Sequence, residues 1–261
     1  MPDPPPFVDI HCHLLPNIDD GSASWEESLA MARMAVADGI ATIVATPHQL
    51  GRYQKNHART IRDQTARLQQ LLDEQGIPLC VLPGADVRIE SDLARRIQNG
   101  EVLTLADRRR YVLLELPHEL YLPLDRLLSE LRSIGVVGVL SHPERNLGIL
   151  RERDVLAPLV KAGCLLQITA GAMVGTFGPH VQKLAHWVVS QRLAHFVSTD
   201  AHGARVRRPL LRRAFECAAG LVGYHQAVDL CCRNPASVVA GQTTQGPKDS
   251  GLGGWFKKRA G

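Results

Sequence analysis

The sequence predicts an α/β fold, namely a distorted, TIM-like (β/α)7 barrel that forms a single domain. Short apolar runs alternate with helical patterns along the chain, and this alternation is typical of a parallel sheet covered by helices. About seven such units fit within the 261 residues, one unit fewer than in a complete (β/α)8 barrel. Hydrophobic residues make up 45% of the chain, which is enough for a sizeable core.

The predicted strands are short, continuous apolar runs, as expected for parallel strands that are buried on both faces. Each run except the last is separated from the next by a stretch with helical periodicity, so successive strands can pair in parallel. In chain order the predicted strands are Phe7–Ile10, Ala41–Ala45, Leu79–Leu82, Tyr111–Leu114, Val136–Leu140, Cys164–Ile168 and Ala194–Val197.

The predicted helices lie between and after these strands, and two of them carry clear end signals. The first covers Trp25–Asp38, because Ser24 and Glu27 have the spacing of a capping box and Gly39 can end the helix. The second covers Ala58–Gln75 and ends at Gly76. The other predicted helices are Ser91–Gln98, Leu124–Ser133, Asp154–Lys161, Val181–Gln191 and Pro209–Ala219.

The barrel is predicted to occupy residues 1–241, followed by a flexible tail over residues 242–261. The tail is rich in Gly, Thr and Lys, as frayed termini often are. Trp255 and Phe256 lie beside three basic residues in this tail, so docking on a partner is the alternative interpretation.

The composition narrows the class of function and the compartment. The net charge of +4 and the pI of about 8.8 suit phosphorylated substrates but are too weakly basic to predict a nucleic acid partner. No apolar stretch reaches the roughly 20 residues of a membrane span, so we expect no membrane insertion. The six cysteines form no CxxC pair, and we expect reduced thiols in a cytoplasmic protein.

Histidines and carboxylates follow six of the seven predicted strands, at the end where barrel active sites lie. Imidazole and carboxylate are ligands for Zn, Mn and Fe. Residues at positions i and i+2 share a face, so the HxH and DxH pairs can each direct two ligands into one site. The sequence therefore predicts a multinuclear metal site that carries out hydrolysis. Its candidate ligands are His11, His13, His48, Asp86, Glu115, His142, Asp200 and His202, with Asp20 on the loop after the first strand.

The remaining histidines lack this pattern and are predicted to be core or surface residues. His118 is the least certain of them, because it lies three residues after Glu115. The full set is His57, His118, His180, His186, His195 and His225.

These motifs resemble a known family. The segments DIHCHLLPNIDDG, ATPH followed by GRY, LLELP, SHPER and STDAH resemble the polymerase-and-histidinol-phosphatase (PHP) superfamily. Within it, the IDDGS and HPER segments resemble the bacterial tyrosine phosphatases of capsule and exopolysaccharide operons. The resemblance extends from about Phe7 to Pro209, and it implies the PHP type of distorted barrel.

The resemblance also implies three divalent metals, most often Mn²⁺, with Fe, Zn, Co and Mg as alternatives, and all nine candidate residues as their ligands. His11, His13, Asp200, and either Glu115 or Asp86, would hold a deeper pair of ions. Asp20, His48 and His202 would hold an outer ion. Asp86 departs from the family's usual Glu, and its shorter side chain predicts binding through one oxygen or through water. Four carboxylates and three divalent ions would leave the site positive, as a phosphate dianion prefers.

Two arginines are implied as a phosphate clamp. Arg145, in the HPER segment, resembles the phosphate-binding arginine of the family, and a guanidinium matches the geometry of phosphate. The second clamp is Arg207 or Arg208, because the family's arginine directly precedes proline but the spacing from His202 is one residue longer here. No cysteine has an arginine six positions later, which argues against a cysteine-dependent phosphatase.

The resulting hypothesis is a cytoplasmic, metal-dependent protein-tyrosine phosphatase. Its expected partner is the phosphotyrosine-containing tail of a bacterial tyrosine kinase that controls capsular or exopolysaccharide synthesis. The alternative enzyme is a small-molecule phosphatase on the same fold, such as a histidinol-phosphate phosphatase. A nuclease and a regulatory binding module with a degraded site are the other readings, which the weak basicity and the intact ligand set argue against.

Overall fold

The computed structural model, which describes residues 2–244, confirms the predicted barrel. Every strand pairing within the two sheets is parallel. The strands are β1 (Phe7–Cys12), β2 (Ile40–Ala45), β3 (His48–Gln49), β4 (Cys80–Pro83), β5 (Asp86–Arg88), β6 (Tyr111–Glu115), β7 (Val137–Ser141), β8 (Leu165–Thr169) and β9 (Phe196–Ser198). One sheet has the order β1-β2-β4, and the other has the order β3-β5-β6-β7-β8-β9.

The second and third predicted strands are each followed by a short extra strand, and this distorts the barrel. β2 and β3 are separated by Thr46 and Pro47, while β4 and β5 are separated by Gly84 and Ala85. The Gly84 N–H donates to Ala45 O (2.9 Å), and a Cβ on Gly84 would lie 2.6 Å from Val44 Cγ1. Beyond the break, His48 pairs with Asp86, so two candidate ligands become neighbours.

The barrel closes where β1 meets β9 and the segment that follows it. Asp200 N donates to His11 O (2.7 Å), and His13 N donates to Ala201 O (2.8 Å). At the same seam, the buried Asp9 carboxylate accepts hydrogen bonds from Thr199 N (3.0 Å) and from the Thr199 hydroxyl. The first and last strands therefore bring HxH and DxH side by side.

The helices cover the outside of the strands. They are α1 (Trp25–Asp38), α2 (Ala58–Glu74), α3 (Leu93–Gln98), α4 (Asp125–Ser133), α5 (Leu147–Arg151), α6 (Leu156–Lys161), α7 (Ala170–Met173), α8 (Pro179–Ser190), α9 (Arg212–Val222), α10 (Tyr224–Val228) and α11 (Asn234–Val239). Short 3₁₀ turns lie at Leu105–Asp107, Pro143–Arg145 and Arg153–Val155, and a π-helical turn lies at Asp229–Arg233.

The end signals read from the sequence hold for the first two helices. The Glu27 N–H donates to Ser24 Oγ (3.2 Å), Gly39 ends α1 in the left-handed region (φ 99°), and Gly76 follows α2 with φ 62°. The last predicted helix is shifted, since α9 begins at Arg212 and not at Pro209. Its first N–H groups are bound by Asp38 of α1, a distant contact that local sequence does not reveal.

The barrel interior changes from apolar to polar along the strands. Leu113, Val139, Leu165 and Phe196 belong to the apolar cluster inside the barrel. Two positions further on, and therefore on the same face, the residues are Glu115, Ser141, Gln167 and Ser198. The polar end of the interior is thus the carboxyl end of the strands.

The other end of the barrel is closed by apolar residues and by the start of the predicted tail. Leu105 and Val238 pack into the interior cluster. The Tyr111 hydroxyl donates to Gln242 O (2.8 Å) and accepts from Thr244 N (3.2 Å), so residues 242–244 lie on the barrel. The rest of the predicted tail, residues 245–261, lies outside the described part of the chain. Within residues 2–244, none of the helices has the length and apolar character that a membrane crossing requires.

Candidate metal centre

All nine predicted ligands converge at the carboxyl end of the barrel. They fall into four overlapping groups, and within each group the potential ligand atoms lie within 4.8 Å of one another. The groups are His13, Asp20, His48 and His202; His11, His142 and Asp200; His11, His13 and Asp86; and His48, Asp86 and Glu115.

The buried part of the cluster is centred on Asp86. Its Oδ2 lies 3.6 Å from His11 Nε2, 3.5 Å from His48 Nδ1 and 3.9 Å from His142 Nε2. Glu115 Oε2 lies 3.6 Å from the same His48 nitrogen. Asp86 and Glu115 therefore both face the cluster, and which of them would hold the deeper ions stays a prediction.

The outer part of the cluster is centred on Asp20, which is half exposed. Its Oδ1 lies 3.4 Å from His48 Nε2 and 3.5 Å from His202 Nε2. His13 belongs to both parts, since its Nε2 lies 3.2 Å from His11 Nε2 and it also groups with Asp20. His48 also faces both parts, through Nε2 toward Asp20 and through Nδ1 toward Asp86, so the assignment of ligands to deep and outer ions stays a prediction.

Backbone strain marks the two ligands that follow β7 and β9. His142 (φ 32°) and Asp200 (φ 50°) both adopt left-handed backbone conformations, although neither is glycine. Such conformations cost free energy and cluster at functional sites. They turn both side chains toward the cluster directly at the strand ends.

Two residues that the sequence reasoning missed orient the first histidine pair. Asp19 Oδ2 lies 2.7 Å from His13 Nδ1, and Gln167 Oε1 lies 2.8 Å from His11 Nδ1. Each contact uses the nitrogen remote from the cluster and leaves Nε2 facing it, which is how ligating histidines are normally held. Gln167 could have been noticed in the sequence, because it is a polar residue within the apolar run LLQIT.

Burial and neighbouring charges shift the pKa values of the ligands in different directions, and a bound cation would require His13 and Asp86 to release their protons. Burial and the charge of Glu115 raise the pKa of Asp86 well above its usual range. Burial lowers the pKa of His11 and of His48 to about 3, so both imidazoles are neutral, as ligands must be. Burial alone would lower the pKa of His13, but the charge and hydrogen bond of Asp19 raise it to about 10.

These residues fit divalent metal ions. Both carboxylate oxygens of Asp86, and Nδ1 of His48, are buried without a hydrogen-bond partner. Buried polar atoms are normally satisfied, so atoms of this kind call for a missing partner. A cation bound among these oxygens and nitrogens would be the missing partner. It would also balance the negative charge of the Asp86 carboxylate. The mixed imidazole and carboxylate set suits Mn, Fe, Zn or Co better than a soft metal.

Asp200 also connects the cluster to two arginines. Its Oδ1 lies 3.4 Å from His11 Nε2 and 3.5 Å from His13 Nε2, while its Oδ2 accepts a hydrogen bond from Arg145 and forms an ion pair with Arg207. Burial would raise the pKa of Asp200, but its neighbours His11, His13 and Arg207 hold it well below its usual range.

The structure separates the two candidates for the second clamp. Arg145 and Arg207 line the pocket above the cluster, together with His118, His142 and Asp200. Arg208 is exposed, because the turn in which His202 N donates to Arg207 O directs Arg207 inward. Arg207 therefore lies at the pocket and Arg208 does not, so we propose Arg207 as the second clamp.

A second part of the mouth is formed by the loop after β3. Arg52, Tyr53 and Arg88 line it beside His48 and Glu115. The Tyr53 ring stacks on the His48 ring with centroids 5.2 Å apart, and Arg88 Nη1 lies 3.9 Å from Glu115 Oε2. Sequence reasoning gave these residues no separate role, although Arg52 and Tyr53 stand in the GRY segment.

Comparison with known proteins gives family and fold matches that span most of the chain. The family described as "Capsular polysaccharide synthesis, CpsB/CapC" matches residues 7–240. Tyrosine-protein phosphatase YwqE of Bacillus subtilis is 38% identical over 203 residues, which cover 77% of this chain and 79% of that protein. Putative tyrosine-protein phosphatase CapC of Staphylococcus aureus is 30% identical over 237 residues, which cover 90% and 92%.

Solved structures agree with this result. A chain from the crystal structures of YwqE from Bacillus subtilis and CpsB from Streptococcus pneumoniae, described as metal-dependent tyrosine phosphatases, superposes with a TM-score of 0.88. It is 34% identical, with 92% of this chain and 98% of that chain covered. A phosphotriesterase homology protein from Escherichia coli has a TM-score of 0.58 at 11% identity, covering 90% of this chain and 99% of its own, which shows a shared fold alone.

Proposed function

This chain belongs to the CpsB/CapC family of capsular polysaccharide synthesis, and on that premise we propose that it is a metal-dependent protein-tyrosine phosphatase. The observation that carries the proposal is the contact of two arginines with Asp200 at the edge of a nine-residue cluster of potential metal ligands. Relatives named tyrosine-protein phosphatases support phosphotyrosine as the substrate.

We assign the nine clustered residues as ligands of divalent metals, three in number and with Mn²⁺ as the first candidate. Bound there, the metals would neutralise phosphoryl oxygens and activate water for attack on phosphorus. Asp19 and Gln167 fix the rings of His13 and His11, so that both Nε2 atoms face the ions. The ligands are thereby held in place before a metal arrives, which lowers the cost of ordering them.

Arg145 and Arg207 bind the phosphate of the substrate. Each guanidinium offers several N–H donors in a plane that matches phosphate oxygens. Both already form ion pairs with Asp200 Oδ2, so they are held at the side of the pocket next to the cluster. A phosphate placed there meets arginine donors on one side and metal ligands on the other.

Phosphotyrosine suits a site of this kind because of its leaving group. A phenol has a pKa of about 10, far below that of an alkyl alcohol, so protonation of the departing oxygen contributes less to the rate. A site that provides positive charge around the phosphate can therefore hydrolyse an aryl phosphate well.

The substrate that we propose is a phosphotyrosine-containing bacterial tyrosine kinase that regulates capsular or exopolysaccharide synthesis. The description of the family and the names of its tyrosine-phosphatase members support this partner. We propose the cytoplasm as the location, and the six free thiols among the described residues support a reducing compartment.

The proposal is tested by comparing phosphate release from three substrates by the Mn²⁺-loaded protein. The substrates are a phosphotyrosine peptide, the same peptide with phosphoserine, and histidinol phosphate. We expect kcat/KM to be highest on the phosphotyrosine peptide. A higher kcat/KM on histidinol phosphate would replace the proposal with a small-molecule phosphatase.

A further inference from the structure

Phe177 lies against both arginines of the pocket. Its ring centroid is 4.5 Å from the guanidinium carbon of Arg145 and 6.0 Å from that of Arg207. Arg145 ends the 3₁₀ turn after β7, Arg207 lies on the loop after β9, and Phe177 lies on the loop between α7 and α8. Three separate parts of the chain thus meet at one aromatic ring.

An aromatic ring at this position offsets the repulsion between the two guanidinium groups. Arg145 and Arg207 form ion pairs with the same oxygen of Asp200, so two like charges are held close together. The face of an aromatic ring carries negative potential and attracts cations. Both arginine side chains are 21% exposed, so the attraction is stronger than at a fully solvated site.

The loop that carries Phe177 is fixed by short-range hydrogen bonds. Thr176 N donates to Gly171 O (2.9 Å), and Gly178 N donates to Gly175 O (3.1 Å). Gly175 (φ 86°) and Gly178 (φ 89°) adopt left-handed conformations that other residues rarely tolerate. The backbone that carries Phe177 is therefore tied to the neighbouring helix α7.

Gly171 on α7 leaves just enough room for the ring. A Cβ added at Gly171 would lie 2.9 Å from Phe177 Cε2, closer than a carbon–carbon contact permits. An alanine at this position must displace the ring, although Gly171 itself lies outside the pocket lining. This glycine offers a second way to perturb Phe177 without changing it.

We propose that Phe177 is a positioning residue of the phosphate site. Its ring holds Arg145 and Arg207 as a preorganised pair, which lowers the cost of gathering two guanidinium groups around a phosphate dianion. The inference rests on the proposed function, because it takes these arginines as the groups that bind the phosphate of the substrate. Phe177 acts through the arginines and needs no contact with the substrate itself.

The test measures binding of inorganic phosphate to the Mn²⁺-loaded protein by calorimetry, for the wild type and for Phe177→Leu. Leucine keeps an apolar side chain but removes the ring. We expect the dissociation constant for phosphate to rise about three- to thirtyfold, which is the range of a partly buried cation–π contact. The KM for a phosphotyrosine peptide should rise by a similar factor while metal content stays unchanged. Phe177→Tyr should retain the wild-type affinity.

Trp187→Leu is the matched control. The guanidinium carbon of Arg153 lies 4.5 Å from the Trp187 ring centroid, the same separation as in the Arg145–Phe177 pair. This variant should bind phosphate like the wild type. Gly171→Ala should weaken phosphate binding in the same direction as Phe177→Leu, and it carries the test if the leucine variant does not fold.

Two results would overturn the inference: wild-type phosphate affinity in both Phe177→Leu and Gly171→Ala, or an equal loss in Trp187→Leu. Phosphate binding does not require turnover, so failure of the proposed function remains distinguishable. A wild type that binds phosphate but releases none from the phosphotyrosine peptide would contradict the activity alone.

Discussion

At the scale of residues, Asp200 links the ligand cluster to the phosphate clamp through its two oxygens. Oδ1 faces His11 and His13, and Oδ2 forms ion pairs with Arg145 and Arg207. As a proposed metal ligand that also contacts both arginines, Asp200 would set the distance between ion and phosphate. The precision of the site therefore depends on the seam at which β1 and β9 meet.

The two neighbouring arginines give a direct test of this assignment. We expect Arg207→Ala to lower kcat/KM on a phosphotyrosine peptide on the order of a hundredfold, since a charge-assisted contact to phosphate is lost. Arg208→Ala changes the adjacent, exposed residue and should leave kcat/KM within about twofold of the wild type. Steady-state kinetics on both variants measure these changes in kcat/KM. A larger loss in Arg208→Ala than in Arg207→Ala would reverse the assignment.

Sequence reasoning named the nine residues that the structure brings together, but it missed the two residues that orient the first histidine pair. His11, His13, Asp200 and His202 were predictable because each follows an apolar strand with a spacing that puts pairs on one face. Gln167 contacts His11 across 156 positions of the chain, and no local pattern reports such a contact. The choice between Arg207 and Arg208 depended on the direction of a turn, which the sequence leaves open.

At the scale of elements, the strand–helix order was predictable, but the breaks after two strands were not. Apolar runs identified all seven predicted strands, whereas the short segments β3 and β5 contain polar residues such as His48 and Asp86. These segments form because the chain must bend at Pro47 and Gly84 and then pair again. His48 and Asp86, the polar residues that made β3 and β5 hard to recognise in the sequence, also face the cluster.

The loop after β1 gives a prediction at this scale. A Cβ on Gly21 would lie 2.4 Å from the backbone oxygen of His13, so Gly21→Ala must move the loop that carries Asp19 and Asp20. We expect fewer than three metals per chain and a loss of stability of about 1–3 kcal/mol, as for other overpacked sites. Elemental analysis and urea unfolding measure the two effects.

Gly220→Ala is the control for this glycine. Gly220 lies in α9 with open space around the position of a Cβ. Alanine should raise the free energy of unfolding by about 0.5–1 kcal/mol, because glycine is unfavourable inside a helix. Full metal content in Gly21→Ala would show that the loop tolerates the added carbon and would contradict the prediction.

At the scale of the whole molecule, the apolar residues that stabilise the barrel and the candidate metal ligands lie at opposite ends of its axis. The apolar interior and the described start of the tail lie at one end, and the ligands lie at the other. The sequence predicted that the barrel closes only because it contains about seven strand–helix units. The hydrogen bonds between β1 and the segment after β9, which close it, connect residues about 190 positions apart.

Stability should depend on pH through a buried histidine remote from the site. Leu166 N donates to His195 Nδ1 (3.2 Å), and burial lowers the pKa of His195 to about 4 from its ordinary value of 6.5. The neutral form is favoured by folding, so this stability is present above pH 6.5 and is lost as pH falls toward 4. Between pH 7 and pH 5 the loss should be about 2 kcal/mol.

His195→Asn isolates this contribution, since the asparagine oxygen can still accept the Leu166 N–H. Urea unfolding of the metal-free proteins at pH 7 and pH 5 measures the difference in the free energy of unfolding. The variant should lose about 2 kcal/mol less than the wild type on acidification. An equal loss in both proteins would mean that other groups carry the pH dependence.

The central claim is that the nine-residue cluster binds the metals on which phosphotyrosine hydrolysis depends. The most direct measurement is phosphate release from a phosphotyrosine peptide, with metal content determined in parallel, for the wild type and His11→Ala before chelation, after chelation and after return of Mn²⁺. The wild type should lose both metal and activity on chelation and regain both with Mn²⁺, while His11→Ala should bind less metal and stay inactive. Full activity in the chelated wild type, or in His11→Ala, would contradict the account.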